Sequence, residues 1–104
     1  MLTVIAEITC RSAQDFKTVL ESFKTIRPDV LQETGCHAYE IHIDQLDLDS
    51  AMQSKVPFSI LMYEKWQSLQ DLEMHMHSPN MHAHRQATEG VHSDVKVRIL
   101  EHVL

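Results

Sequence analysis

Four histidines, His75, His77, His82 and His84, crowd one short segment of a chain that carries eight histidines in 104 residues. Metal binding is therefore the first chemistry to weigh. Two ligands on one helix face stand three or four residues apart, as in H-x-x-x-H. Here His75 and His77 are two apart, as are His82 and His84, which sends each pair to nearly opposite sides of a helix. The residues four beyond His75, His82 and His84 are Pro79, Gln86 and Thr88, none a strong ligand. The spacing points to solvated histidines at 77, 82 and 84 and predicts no metal site. Asp44, Asp47 and Asp49 begin like a calcium loop, but counting from Asp47 the sixth position lacks Gly and the twelfth lacks Glu, so a solvated loop is expected.

Covalent chemistry fares no better. No G-x-S-x-G occurs, and the two cysteines, Cys10 and Cys36, form no C-x-x-C pair. His37 adjoins Cys36, yet neighbours on a strand point to opposite faces and cannot act as a dyad. No Gly-rich loop follows a strand and opens a helix, so the usual cradles for NAD, FAD and ATP are missing. One stretch still combines a carboxylate, an indole and an imidazole at usable spacing: Tyr63, Glu64, Lys65, Trp66, Gln67 and Ser68, then Leu72, His75, Ser78 and Pro79.

Composition bounds what could surround that stretch. With 43% hydrophobic and 23% charged residues, the chain reads as one globular domain. A domain of this size buries only about 65% of the surface its unfolded chain exposes, which makes oligomerisation a natural supplement. The net charge of −6 offers no clustered basic footprint for nucleic acid or an anionic membrane surface. The apolar opening lacks a basic n-region and is interrupted by Glu7, so no signal peptide is expected, and a cytoplasmic protein with reduced thiols is.

The elements follow from periodicity. Leu2 to Arg11 alternates as a strand with one dominant apolar face. Ser12 offers an N-cap, and Phe16, Val19, Leu20, Phe23, Ile26, Val30 and Leu31 follow at helical spacing, through a kink at Pro28, to Gly35 as the C′ residue. Cys36 to Ile43 predicts a second strand and Phe58 to Trp66 a third, in which Ile60, Leu61 and Met62 are consecutively apolar, so both of its faces should be covered. Ser68 starts a helix through Met76, Ser78 with Pro79 starts another running to Gly90, and Val95 to Leu104 predicts the last strand. The order β-α-β-β-α-β is the α+β ferredoxin-like arrangement, a single domain over residues 1–104 with helices on one sheet face and the third strand between the first two. The bare face then calls for a partner.

The spacing of Glu64, Trp66, Ser68, Leu72, His75 and Ser78 resembles the helix motif of the antibiotic-biosynthesis-monooxygenase (ABM) family. The opening Met1-Leu2-Thr3-Val4-Ile5-Ala6-Glu7-Ile8 and Gly35-Cys36-His37 followed by Tyr39, with Val97-Arg98-Ile99-Leu100 near the end, are similar to its YgiN-type quinol monooxygenases. The resemblance implies homodimers whose sheets pack face to face into an α/β barrel. It also implies oxidation of an aromatic quinol by dioxygen without metal, haem or flavin: the deprotonated hydroquinone passes an electron to dioxygen, and recombination with loss of water leaves an oxidised quinone. The pocket is expected between helices and sheet, apolar enough for a bicyclic ring.

On that reading His75 is the expected base, because a neutral imidazole suits removal of a phenolic proton. Trp66 could stack on the ring, and Glu64, on the same strand face, could orient a polar partner or pair with Arg11 or Arg98. Tyr39, Met62, Tyr63, Leu72, Met76 and Met81 are expected to line the pocket, with Met74 a further candidate. A haem-degrading branch of the fold would require Asn and Trp where Glu7 and His75 stand. An isomerase branch acting on a phosphorylated signalling sugar would need convergent basic groups, for which Arg11, Lys65 and Arg85 are available. A noncatalytic dimeric module binding an aromatic metabolite would use the same cavity.

Overall fold

A computed structural model describes residues 1–104. In chain order the elements are β1 (Leu2–Cys10), α1 (Ala13–Val30), β2 (Cys36–Ile43), β3 (Ser59–Trp66), α2 (Leu69–Met76), α3 (Pro79–Ala87) and β4 (Ser93–Leu100). The strands form one sheet in the order β2-β3-β1-β4, with every neighbouring pair antiparallel. The third strand thus separates the first two, as the ferredoxin-like arrangement requires, and Cys10 and Cys36 are both free thiols. No helix is long and apolar enough to cross a membrane.

The alternation in β1 does what its period predicts: Val4, Ala6, Ile8 and Cys10 are buried while their neighbours are not. Ile60, Met62, Glu64 and Trp66 of β3 lie on the same side, opposite the buried Val19, Phe23, Ile26 and Val30 of α1. Full burial of each such apolar side chain is worth about 1.5–3 kcal/mol. Ser12, Ser68 and Ser78 each cap a helix by accepting from the amide three residues on, which satisfies donors that a helix start leaves unpaired.

Several boundaries differ from the sequence reading. Helix α1 runs through Pro28 and ends with Leu31 as its cap, so Gly35 is not its C′ residue. Gly35 instead turns the chain into β2 at φ 77°, and its carbonyl accepts from the Gln67 amide at 2.8 Å. Phe58 adopts a left-handed φ of 57° and stands before β3 rather than in it. The last strand begins earlier and stops at Leu100. The consecutive Ile60, Leu61 and Met62 do alternate: Leu61 points to the helix-free face, beside Ile5 and Tyr63 and among Glu7, Glu40, His42 and Lys65.

Candidate functional site

Strand period places Glu64 and Trp66 on one face two residues apart, and the Trp66 Nε1–H donates to Glu64 Oε1 at 3.0 Å. The chain then turns at once into α2, whose last turn carries His75 back over the indole. The imidazole stacks on Trp66 at a centroid distance of 4.6 Å and meets Tyr39 of β2 edge-on at 5.4 Å. All three rings are almost fully buried. Offset and edge-to-face contacts of this kind fix ring planes as well as adding cohesion.

Glu33, in the turn between α1 and β2, completes the arrangement. Its Oε1 lies 2.9 Å from His75 Nδ1 and its Oε2 accepts from Asn80 Nδ2, in the first turn of α3, at 2.8 Å. A carboxylate against Nδ1 holds the proton there and leaves Nε2 with its lone pair free. A second histidine, His84 of α3, stacks on Phe23 at 4.2 Å and pairs its Nδ1 with Ser22 Oγ at 2.8 Å. Burial, helped by Arg85 and His75, pushes His84 down to about 4, so it is neutral at pH 7.

These groups border a cavity of about 670 Å³ between the sheet and the three helices, inside the range of small-molecule sites. His75, Glu64, Tyr39, Met62, Leu72, Met76 and Met81 all line it. Within the chain His75 Nε2, His84 Nε2 and the Tyr39 hydroxyl have no hydrogen-bond partner, and only Gln53 Oε1 is both partnerless and fully buried. The two imidazole nitrogens and the phenol are therefore reached from the cavity. Burial and the nearby Glu64 and Glu33 push the Tyr39 hydroxyl well above the usual phenol range, so it remains a donor. Burial likewise raises Glu64, against the opposing pull of the Trp66 N–H and of His75.

Other sequence expectations need correction. Tyr63 does not line this cavity; it sits on the opposite sheet face, because period two sends it away from Glu64. Trp66 is fully buried behind His75 and borders no part of the cavity, so it backs the imidazole rather than walling the pocket. Met74 is exposed on the outer side of α2. Glu64 pairs with the Trp66 indole, not with Arg11 or Arg98, the latter being on the helix-free face. His84 is buried, not solvated, because it lies on the face of α3 that packs against Phe23 and Ser22 of α1. Cys36 and His37 stay apart, as strand alternation predicts: His37 turns to Gln67, and burial chiefly pushes the Cys36 thiol up to about 11. No three His, Cys, Asp or Glu side chains converge as a metal ion would need. Sequence reasoning missed Glu33, Asn80 and Ser22, which carried no motif.

The chain resembles known proteins in both sequence and fold. The family model described as "Antibiotic biosynthesis monooxygenase" matches residues 1–87. The chain is 42% identical over 102 residues to the Escherichia coli K12 protein named "Probable quinol monooxygenase YgiN", covering 97% of each. Among solved structures, PA3566 from Pseudomonas aeruginosa superposes with a TM-score of 0.79 at 22% identity, covering 99% of this chain and 94% of that one. Rv0793 from Mycobacterium tuberculosis gives 0.74 at 14%, covering 99% and 96%. These two likenesses concern the fold alone.

Proposed function

We propose, from the premise that the chain belongs to the antibiotic biosynthesis monooxygenase family, that it oxidises an aromatic hydroquinone with dioxygen, without a bound cofactor and as a homodimer. The observation that carries this reading is His75: Glu33 holds its Nδ1 while Nε2 opens on an apolar cavity large enough for a bicyclic ring. A hydroquinone ionises well above neutrality, so near pH 7 little of it exists as the electron-rich anion. His75 Nε2 takes the phenolic proton, and Glu33 stabilises the imidazolium that results. The anion passes an electron to dioxygen, the two radicals combine at a ring carbon, and loss of water leaves a hydroxylated quinone. One naphthohydroquinone and one dioxygen thus give one hydroxynaphthoquinone and one water. The phosphorylated-sugar isomerase reading is disfavoured because Glu64 and Glu73 line the cavity and Arg85 is its sole Lys or Arg.

Oxygen uptake with reduced naphthoquinone, with EDTA present throughout, tests the proposal and separates it from a module that only binds. His75→Ala should keep the fold and lower kcat by roughly 10² to 10⁴, the worth of a positioned base. The defect should shrink as rising pH ionises the quinol in solution, and His77→Ala, on the outer helix face, should change little. Equal turnover of His75→Ala and wild type at pH 7 assigns His75 to structure. Loss of wild-type turnover with EDTA sinks the cofactor-free part.

A further inference from the structure

The reaction above leaves Ser22 and His84 unused, although both are buried and His84 borders the cavity. Their hydrogen bond fixes where the proton of His84 resides. Thr18 and Thr25, on the same helix, donate their hydroxyls to the carbonyls four residues back; Ser22 makes no such bond, and His84 Nδ1 is its one partner. Were Nδ1 protonated, the Ser22 hydroxyl hydrogen would be buried without an acceptor, at the full cost of its desolvation. Ser22 therefore donates, Nδ1 accepts, and the ring carries its proton on Nε2, which is open to the cavity. The two histidines thus present opposite polarity: His75 Nε2 a lone pair, His84 Nε2 an N–H. They rest on different walls, His75 against Trp66 of β3 and His84 against Phe23 of α1.

We infer that His84 Nε2–H is a second substrate anchor, donating to the distal oxygen of an aromatic 1,4-diol whose other hydroxyl faces His75 Nε2, with Ser22 as the positioning residue that holds the required tautomer. This rests on the hydroquinone reading and adds the placement of two oxygens across the ring. The same N–H serves the distal oxygen as hydroxyl in the substrate and as carbonyl in the product; the proton which that hydroxyl must give up passes to solvent and is balanced by the one taken up as water leaves. His84 stays neutral at working pH, and an uncharged donor leaves the first deprotonation to His75.

Anaerobic calorimetric titration with 1,4-dihydroxynaphthalene and with 1-naphthol tests this without turnover. Wild type should prefer the diol by about fivefold, the scale of one neutral hydrogen bond. His84→Phe, which keeps a ring on Phe23, should abolish that preference with 1-naphthol affinity unchanged. Ser22→Ala should reduce the preference and Ser22→Thr restore it. No preference in wild type, equal weakening of both ligands by His84→Phe, or loss of the preference with Tyr39→Phe in its place would overturn the anchor. Nitrogen-15 spectroscopy of wild-type histidines is independent of any variant: an Nε2–H tautomer at His84 supports the inference and an Nδ1–H tautomer refutes it. Wild type that shows the preference yet consumes no oxygen sinks the oxidation and leaves the anchor. Turnover without preference does the reverse.

Discussion

His84 stands near 4 in the folded chain against 6.5 as its ordinary value, first because it is buried and then because Arg85 and His75 add positive charge. The unfolded chain takes up that proton near 6.5 and the folded chain only near 4, so stability present above the upper value drains away as pH falls through the window. Glu64, raised by burial, acts in the opposite sense and is strongest in acid, which makes a difference measurement necessary. Between pH 6.5 and 4.5, wild type should lose more urea resistance than His84→Phe; parallel losses in the two proteins contradict the assignment. At this scale the sequence was partly legible. Glu64 and His75 stood out because strand and helix periods carry side chains to predictable faces. Glu33, Asn80 and Ser22 did not, because their bonds to His75, Glu33 and His84 span 42, 47 and 62 residues of chain, and no local pattern encodes such a closure.

Gly35 shows how an element is placed by a residue outside it. Its φ of 77° suits glycine, and a Cβ there would lie 2.2 Å from Asp71 Oδ2 in the first turn of α2. Gly35→Ala should therefore cost about 1–3 kcal/mol, and because α2 carries His75, kcat should fall with it. Wild-type urea stability in the variant removes this account. The three serine caps and the strand alternation were readable because each depends on neighbours within one turn or one pleat. The start of β3 was not, since nothing local announces that Phe58 adopts a left-handed conformation while its carbonyl accepts from the Cys10 amide across the sheet. The misreading of His84 has a similar origin: its burial comes from packing on α1, where Ser22 lies 62 residues away in the chain, and no count along α3 reports that.

For the whole molecule, the helix-free sheet face is the part a single chain leaves unfinished. Ile5, Leu61 and Tyr63 form a small apolar centre there, ringed by Glu7, Glu40, His42, Lys65, Lys96 and Arg98, the pattern of an apolar interface core with a polar rim. Light scattering at micromolar concentration should give about twice 12.0 kDa, and Leu61→Lys should halve it; a wild-type monomer refutes the proposed dimer. On the other face, β4 lies at the sheet edge beyond the reach of the helices, so Val95, Val97 and Ile99, paired with the buried Ile8, Ala6 and Val4, are each more than half exposed while lining the cavity. The cavity is thus a trough open along one side, and on the proposed mechanism a superoxide formed in it is exposed to bulk water before it recombines with its organic partner. Escape followed by a second electron transfer gives unhydroxylated quinone and hydrogen peroxide, one of each per dioxygen consumed. The protein should accordingly be a leaky oxygenase: adding catalase during turnover should return part of the oxygen, and filling the trough by Val97→Phe should lessen that return. Turnover with no peroxide at all would mean that the open side is closed to solvent while the radicals exist.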